Sequence, residues 1–223
     1  MQTSYKVIYS DRKTFGLSVE RDKSIVLRAP KKAKVTEMDD FVERKKFWLY
    51  KKLRHPQKYP PQKRKEFISG ASILYLGRNY RLNIINNGIN NIKFNNMFLI
   101  SKTNQINAYD LFKNWYLQRA KEKIIEKALL HSKNIGVEFQ NIKVTELKYR
   151  WGSCTPKNNL NFNWRLIKAP LQVIEYVIVH ELAHLKEPNH TPRFWSIVKT
   201  QIPKYNEAKT WLKENGHLLE VDF

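Results

Sequence analysis

The stretch "VIVHELAHLKEPNH", residues 177–190, constrains this chain more than any other. The apolar residues in and just before it, Val173, Ile174, Val177, Ile178, Leu182 and Leu185, predict a helix that has to be buried. That helix takes His180, Glu181 and His184 inward with it, where polar groups without partners are costly. Successive helical residues turn by about 100°, so His180 and His184 lie on one face, one turn apart. Two imidazoles at that separation can share one tetrahedral metal ion. Glu181 points in an adjacent direction, where a carboxylate reaches a water on the metal without binding the metal itself.

The helix then has to stop. Pro188 disfavours helical geometry at Glu187 and brings no backbone donor. His190 follows just past the helix end, where the chain can return it toward the first two histidines. Thr191-Pro192 has the cap and first-turn proline of a new helix, which would fix His190 in place. Three protein ligands leave a fourth position open, as catalytic zinc sites do. The alternative is an amphipathic helix whose histidines are solvated or hydrogen-bonded, since a bare HExxH has only three fixed letters.

The rest of the chain predicts an α+β protein. "YKVIYS", "FGLSVE" and "SIVLRA" in residues 5–29 read as three short strands. "TEMDDFVERKKFWLYKKL" reads as one amphipathic helix with Thr36 as its N-cap. "RHPQKYPPQKRK" reads as a basic, proline-rich loop. Strands return between residues 68 and 102, with Asn87-Gly88 as a hairpin turn signal. A long helix follows over 106–133, with Ala120, Ile124, Ala128 and Leu129 on one face. Two strands, "VEFQNIKVTELKYRWGSC" and "NLNFNWRLIKA", flank the turn "TPKNN". Pro170 opens the histidine helix, and two further helices end near Asn215-Gly216. A seam near residues 101–105 divides a β-rich basic N-terminal domain, 1–103, with one amphipathic helix, from a C-terminal α+β domain, 104–223.

Charge limits the partners. Lys and Arg number 41 against 20 Asp and Glu, a net charge of +21. The excess is 19 basic against 8 acidic residues up to Glu66, but only 9 against 7 from Trp151 onward. Such a field favours polyanions, nucleic acid first among them, although lysine-rich surfaces also serve solubility alone. "KKFWLYKKLRH" mixes bases with aromatics as nucleic-acid surfaces do, and reads equally as a helix with a solvated lysine face. The single cysteine, Cys154, allows no internal disulfide and reads as a core residue. With no apolar run of membrane-spanning length and no signal-peptide pattern, a reducing cytoplasm is the expected location.

The block "RWGSCTPKNNLNFNWRLIKAPLQVIEYVIVHELAHLKEPNHTPRFW" resembles the signature region of the YgjP-like metallopeptidases, relatives of the SprT and Spartan proteases. "SDRKT", "RAP", "KKFWLYKKL", "YLGRNYRL" and "WLKENG" extend the resemblance over nearly the whole chain. It implies a zincin-like domain with the HExxH helix packed on a small antiparallel or mixed sheet. It also implies zinc held by His180, His184 and His190, Glu181 as general base, and hydrolysis of a protein or peptide substrate. More weakly, it implies an association with DNA.

Further site residues are candidates only. The "RWGSC" strand is a substrate edge, with Trp151 as a wall and Ser153 facing the cleft. Arg150, Arg165 and Tyr205 are candidate donors to a transition-state oxyanion. Phe194 and Trp195 are expected to pack the following helix onto the histidine helix. His55, His131 and His217 are expected at the surface or at helix caps. Two other readings stay open: a nucleic-acid-binding protein stapled by zinc, and a zinc hydrolase of a non-peptide bond.

Overall fold

The computed structural model describes residues 4–20, 23–54, 66–86, 88–147 and 150–221. The chain divides into two units, Met1–Lys63 and Arg64–Phe223.

The first unit contains the three strands read from the sequence: β1 (Lys6–Ser10), β2 (Gly16–Val19) and β3 (Ile25–Pro30). β3 is central, parallel to β1 and antiparallel to β2. Its residues Ile25, Leu27 and Ala29 share one face, as the two-residue period of a strand requires, and are buried with Met38, Val42 and Leu49. The single helix expected over 36–53 is two, α1 (Val35–Arg44) and α2 (Lys46–Leu53), parted at Lys45. Thr36 lies inside α1 and is not its cap. The N-cap is Lys34, whose backbone N–H donates to Glu37. The loop "RHPQKYPPQKRK" beyond Arg54, with His55, lies outside the described residues.

The second unit begins with β4 (Ser72–Tyr75) and β5 (Arg78–Ile85), joined by a two-residue turn. Leu76 and Gly77 both have positive φ there, the geometry of a type I′ hairpin. A side chain at Gly77 would also meet the Cγ of Pro170 at 2.7 Å. β6 (Lys93–Phe94) and β7 (Phe98–Ser101) complete a sheet of order β4-β5-β7-β6. β5 pairs in parallel with β7; the turn read at Asn87-Gly88 includes Asn87, which lies outside the described residues.

A short 3₁₀ turn leads into α3 (Ala108–Ile135), whose stripe Ala108, Phe112, Tyr116, Ala120, Ile124 and Ala128 is fully buried. Tyr75, Phe94 and Phe98 of the sheet meet Phe112, Trp115 and Tyr116 of α3 in one aromatic cluster. This packing joins the strands before residue 101 to the helices after it. The compact units therefore part at residues 63–64, well before the seam read near 101–105. His131 is buried on α3, not exposed or capping.

β8 (Asn141–Thr145), β9 (Gly152–Cys154) and β10 (Asn159–Asn163) form a mixed three-stranded sheet of order β8-β10-β9. A 3₁₀ turn over Trp164–Lys168 leads to α4 (Leu171–Ala183), which packs on α3 and β9. The Lys127–Glu175 ion pair, 2.7 Å, also joins α3 to α4. α5 (Pro192–Gln201) and α6 (Tyr205–Glu220) follow. α6 runs straight through Asn215-Gly216 instead of ending there, and Gly216 lies beside the ring of Trp151. No described helix is long and apolar enough to cross a membrane.

Candidate metal centre

α4 carries His180 and Glu181, and His184 is its C-cap residue. The chain turns through Pro188, and Thr191 caps α5 by accepting the Phe194 N–H at 3.3 Å, with Pro192 at the first position. His190 is thereby returned to the other two histidines. One nitrogen from each of the three rings lies within 4.8 Å of the others, and the Nε2 atoms of His180 and His190 are 3.0 Å apart.

The three rings rest on one side chain. Phe194 is fully buried, and its ring centroid lies 4.9 Å from that of His180 and 4.7 Å from those of His184 and His190. His190, the exposed member, is further stacked on Trp195, at 5.6 Å and 25°. Trp195 stacks on Tyr205 of α6, and Tyr205 stacks on Tyr176, one turn before His180 on α4. A continuous series of rings thus ties the loop histidine back to the helix bearing the other two. Lys209 sits over Trp195, 4.6 Å from its ring centroid.

The electrostatics suit a cation. Burial, then the neighbouring His184, His190 and Lys209, pushes the His180 ring down to about 3, so it is neutral. His184 is also lowered, first by burial, although its hydrogen bonds to the backbone of Glu187 and Pro188 oppose the shift. Backbone partners of this kind orient metal-binding histidines. Tetrahedral zinc places ligand nitrogens about 3.3 Å apart, which this cluster matches after small side-chain motions. The donor set therefore fits a metal ion.

Glu181 is buried, and burial pushes its carboxyl up to about 7 against the opposing backbone hydrogen bond from Cys154 and the charge of Arg150. Its side chain lies flat on β9. A Cβ at Gly152 would meet the Glu181 Cγ and Oε1, each at 2.7 Å. Only glycine leaves that space, so Gly152 and the Cys154 N–H together fix the carboxylate.

A cleft of about 670 Å³ runs beside the cluster, lined by Arg150, Ser153, Cys154, Glu181 and Leu185 among others. β9 is the edge strand of its sheet, and among the described residues no strand pairs with its outer side. Ser153 lines the cleft, where its hydroxyl accepts from Asn161 at 3.3 Å. Trp151 does not line it, but packs at Gly216 of α6. Cys154 is a half-buried free thiol that packs against the main core and also lines the cleft; burial and then Glu181 push it up.

The three candidate donors separate. Arg150 lines the cleft; Tyr205 does not, and stands in the ring series between Trp195 and Tyr176. Arg165 does neither: its guanidinium is buried, paired with Glu146 at 2.8 Å and laid on Trp164. Its charge is committed to holding the 3₁₀ turn before α4. Gly152, Phe194 in contact with all three imidazoles, and Lys209 are the residues that sequence reasoning missed or underrated. For Lys209 the available signal was its place one helical turn after Tyr205.

No curated protein sequence matches the chain significantly. Among solved structures it resembles the metallopeptidase zymogen abylysin of Pyrococcus abyssi, with 17% identity and a TM-score of 0.38 over 41% of this chain and 93% of that one. It also resembles the zymogen jannalysin of Methanocaldococcus jannaschii, with 20% identity and a TM-score of 0.39 over 41% of this chain and 95% of that one. The sequence model of the YgjP-like metallopeptidase domain matches residues 13–215. Nearly the full length is spanned, histidine cluster included, and the chain belongs to the YgjP-like family of metal-dependent peptidases.

Proposed function

We propose that the metal is zinc, held by His180, His184 and His190, and that Glu181 moves the proton during hydrolysis of a peptide bond. The observation that carries this reading is the convergence of three imidazoles beside a buried carboxylate, at the side of an open cleft. Bound there, zinc supplies Lewis acidity, making a water acidic near pH 7 and polarising a carbonyl. Glu181 then takes a proton from the attacking water and returns it to the departing amine nitrogen. Gly152 and the Cys154 N–H hold its carboxylate for both transfers. The free edge of β9 supports an extended substrate strand with its N–H and C=O groups, and Ser153 faces that strand. Arg150, which lines the cleft, is the donor placed for the developing oxyanion. The +21 charge supports DNA-associated proteins as a substrate class, and the single free cysteine supports a cytoplasmic location.

The test is a digestion. Zinc-loaded protein incubated with unfolded casein should produce new amino termini, detected by mass spectrometry. A chelator should stop the reaction and added zinc should restore it. One zinc bound per chain with no cleavage would favour a structural metal instead.

The ring series makes a separate prediction. Trp195→Leu should weaken zinc binding about tenfold by loosening His190, the scale on which outer partners of metal ligands act. Competition with a chromogenic chelator measures it. Unchanged affinity would reduce the series to ordinary packing.

A further inference from the structure

α2 turns its apolar side inward and its aromatic side outward. Leu49 is 2% exposed and Leu53 is partly buried, both within the core of the first unit. Phe47, Trp48 and Tyr50 face solvent, at 69%, 37% and 52% exposure. A helix has no folding reason to expose three large rings in eight residues, because each leaves apolar area in water. Each ring has a cation one turn further on. The Lys51 Nζ lies 4.3 Å from the Phe47 centroid, the Lys52 Nζ 5.6 Å from that of Trp48, and the Arg54 guanidinium 4.5 Å from that of Tyr50. Among the described residues none of these three cations is in an ion pair. In the sequence, residues 44–65 contain ten Lys and Arg and no Asp or Glu.

The geometry points to α2 as a binding surface for single-stranded nucleic acid, with Phe47, Trp48 and Tyr50 stacking on bases and Lys51, Lys52 and Arg54 meeting phosphates. Unpaired bases offer flat faces that rings accept whatever the base, and the backbone brings a negative charge with each nucleotide. A duplex hides those faces in its own stack, so the single strand is the better fit. A membrane surface fits less well. An interfacial helix presents a continuous apolar face including aliphatic side chains, whereas here the outward rings are interleaved with cations and the leucines point inward. This surface belongs to the first unit and does not depend on the peptidase reading.

The test uses the full chain and a fluorescent oligothymidylate of twenty nucleotides, with binding followed by anisotropy. Binding should be at least tenfold tighter than to a duplex of the same length. Replacing Phe47, Trp48 and Tyr50 together with Ala should weaken it by tenfold or more. Replacing Lys51, Lys52 and Arg54 with Gln should reduce the slope of log affinity against log salt by about two. Both variants should retain the parent's circular dichroism spectrum and its cleavage of casein, so a failure here is distinct from a failure of the peptidase. The proposal is overturned if the aromatic variant binds the oligonucleotide within twofold of the parent, or if the duplex binds equally well. Binding to phosphatidylglycerol vesicles without binding to the oligonucleotide also overturns it.

Discussion

Glu181→Gln is expected to lower peptide hydrolysis on the order of 10³-fold while leaving zinc bound one to one. Glutamine has the same shape, and its amide oxygen can still accept the Cys154 N–H. It has no basic oxygen with which to take a proton from water. None of the three imidazoles depends on the carboxylate for its position: His184 is held by the backbone of Glu187 and Pro188, and all three rings rest on Phe194. The fold should not suffer either. Burial already disfavours the charged form of Glu181, so a neutral amide there should melt no lower than the parent. Elemental analysis, thermal melting and steady-state kinetics together check the claim. Hydrolysis within tenfold of the parent would remove Glu181 from its role.

Gly152→Ala should give the second largest loss, about 10²-fold, again with zinc retained. The added Cβ would stand 2.7 Å from both Cγ and Oε1 of Glu181. The carboxylate must move by most of an ångström, and displacements of that size in a reacting group cost rates of this order. The loss should fall on kcat more than on KM, because β9 keeps its outer edge. Ser153→Ala, in the next residue of the same strand, is the control: it removes a hydroxyl from the cleft without touching Glu181, and should stay within a few fold of the parent. Equal losses in the two variants would mean that β9 acts through general disturbance of the cleft.

These two variants separate what the sequence made legible from what it hid. The spacing of His180 and His184, the stop at Pro188 and the cap at Thr191-Pro192 are local features. They predicted a cluster of three histidines that the structure brings together. The strands of the first unit were equally plain in their alternation. Gly152 was not, because its partner Glu181 is 29 positions further on and the contact forms only when α4 packs on β9. Phe194 read correctly as a packing residue, but its contact with three rings depends on the return of the chain after Pro188. Arg165 looked like a free cation in the sequence; its pairing with Glu146 is a tertiary fact.

The boundary near residue 103 followed from a change of local pattern, strands before it and helices after. The aromatic cluster linking Tyr75 and Phe98 to Phe112 and Tyr116 overrides that pattern, and no periodicity within either segment announces it. The break at Lys45 has no proline or glycine to mark it. The hairpin at Leu76-Gly77 carries a glycine that the sequence reading did not single out as a turn. In α2 the composition left a nucleic-acid surface and a solvated lysine face both open. Only the outward orientation of Phe47, Trp48 and Tyr50 favours the first.

His180, His184 and His190 are proposed to form one catalytic metal centre with Glu181 beside it. Anomalous diffraction at the zinc edge from crystals of the zinc-loaded protein tests it most directly. A single peak is expected about 2.0–2.1 Å from one nitrogen of each of the three rings, with the Glu181 carboxylate outside bonding distance. No peak at the cluster would contradict it, as would a closed site in which Glu181 serves as the fourth ligand.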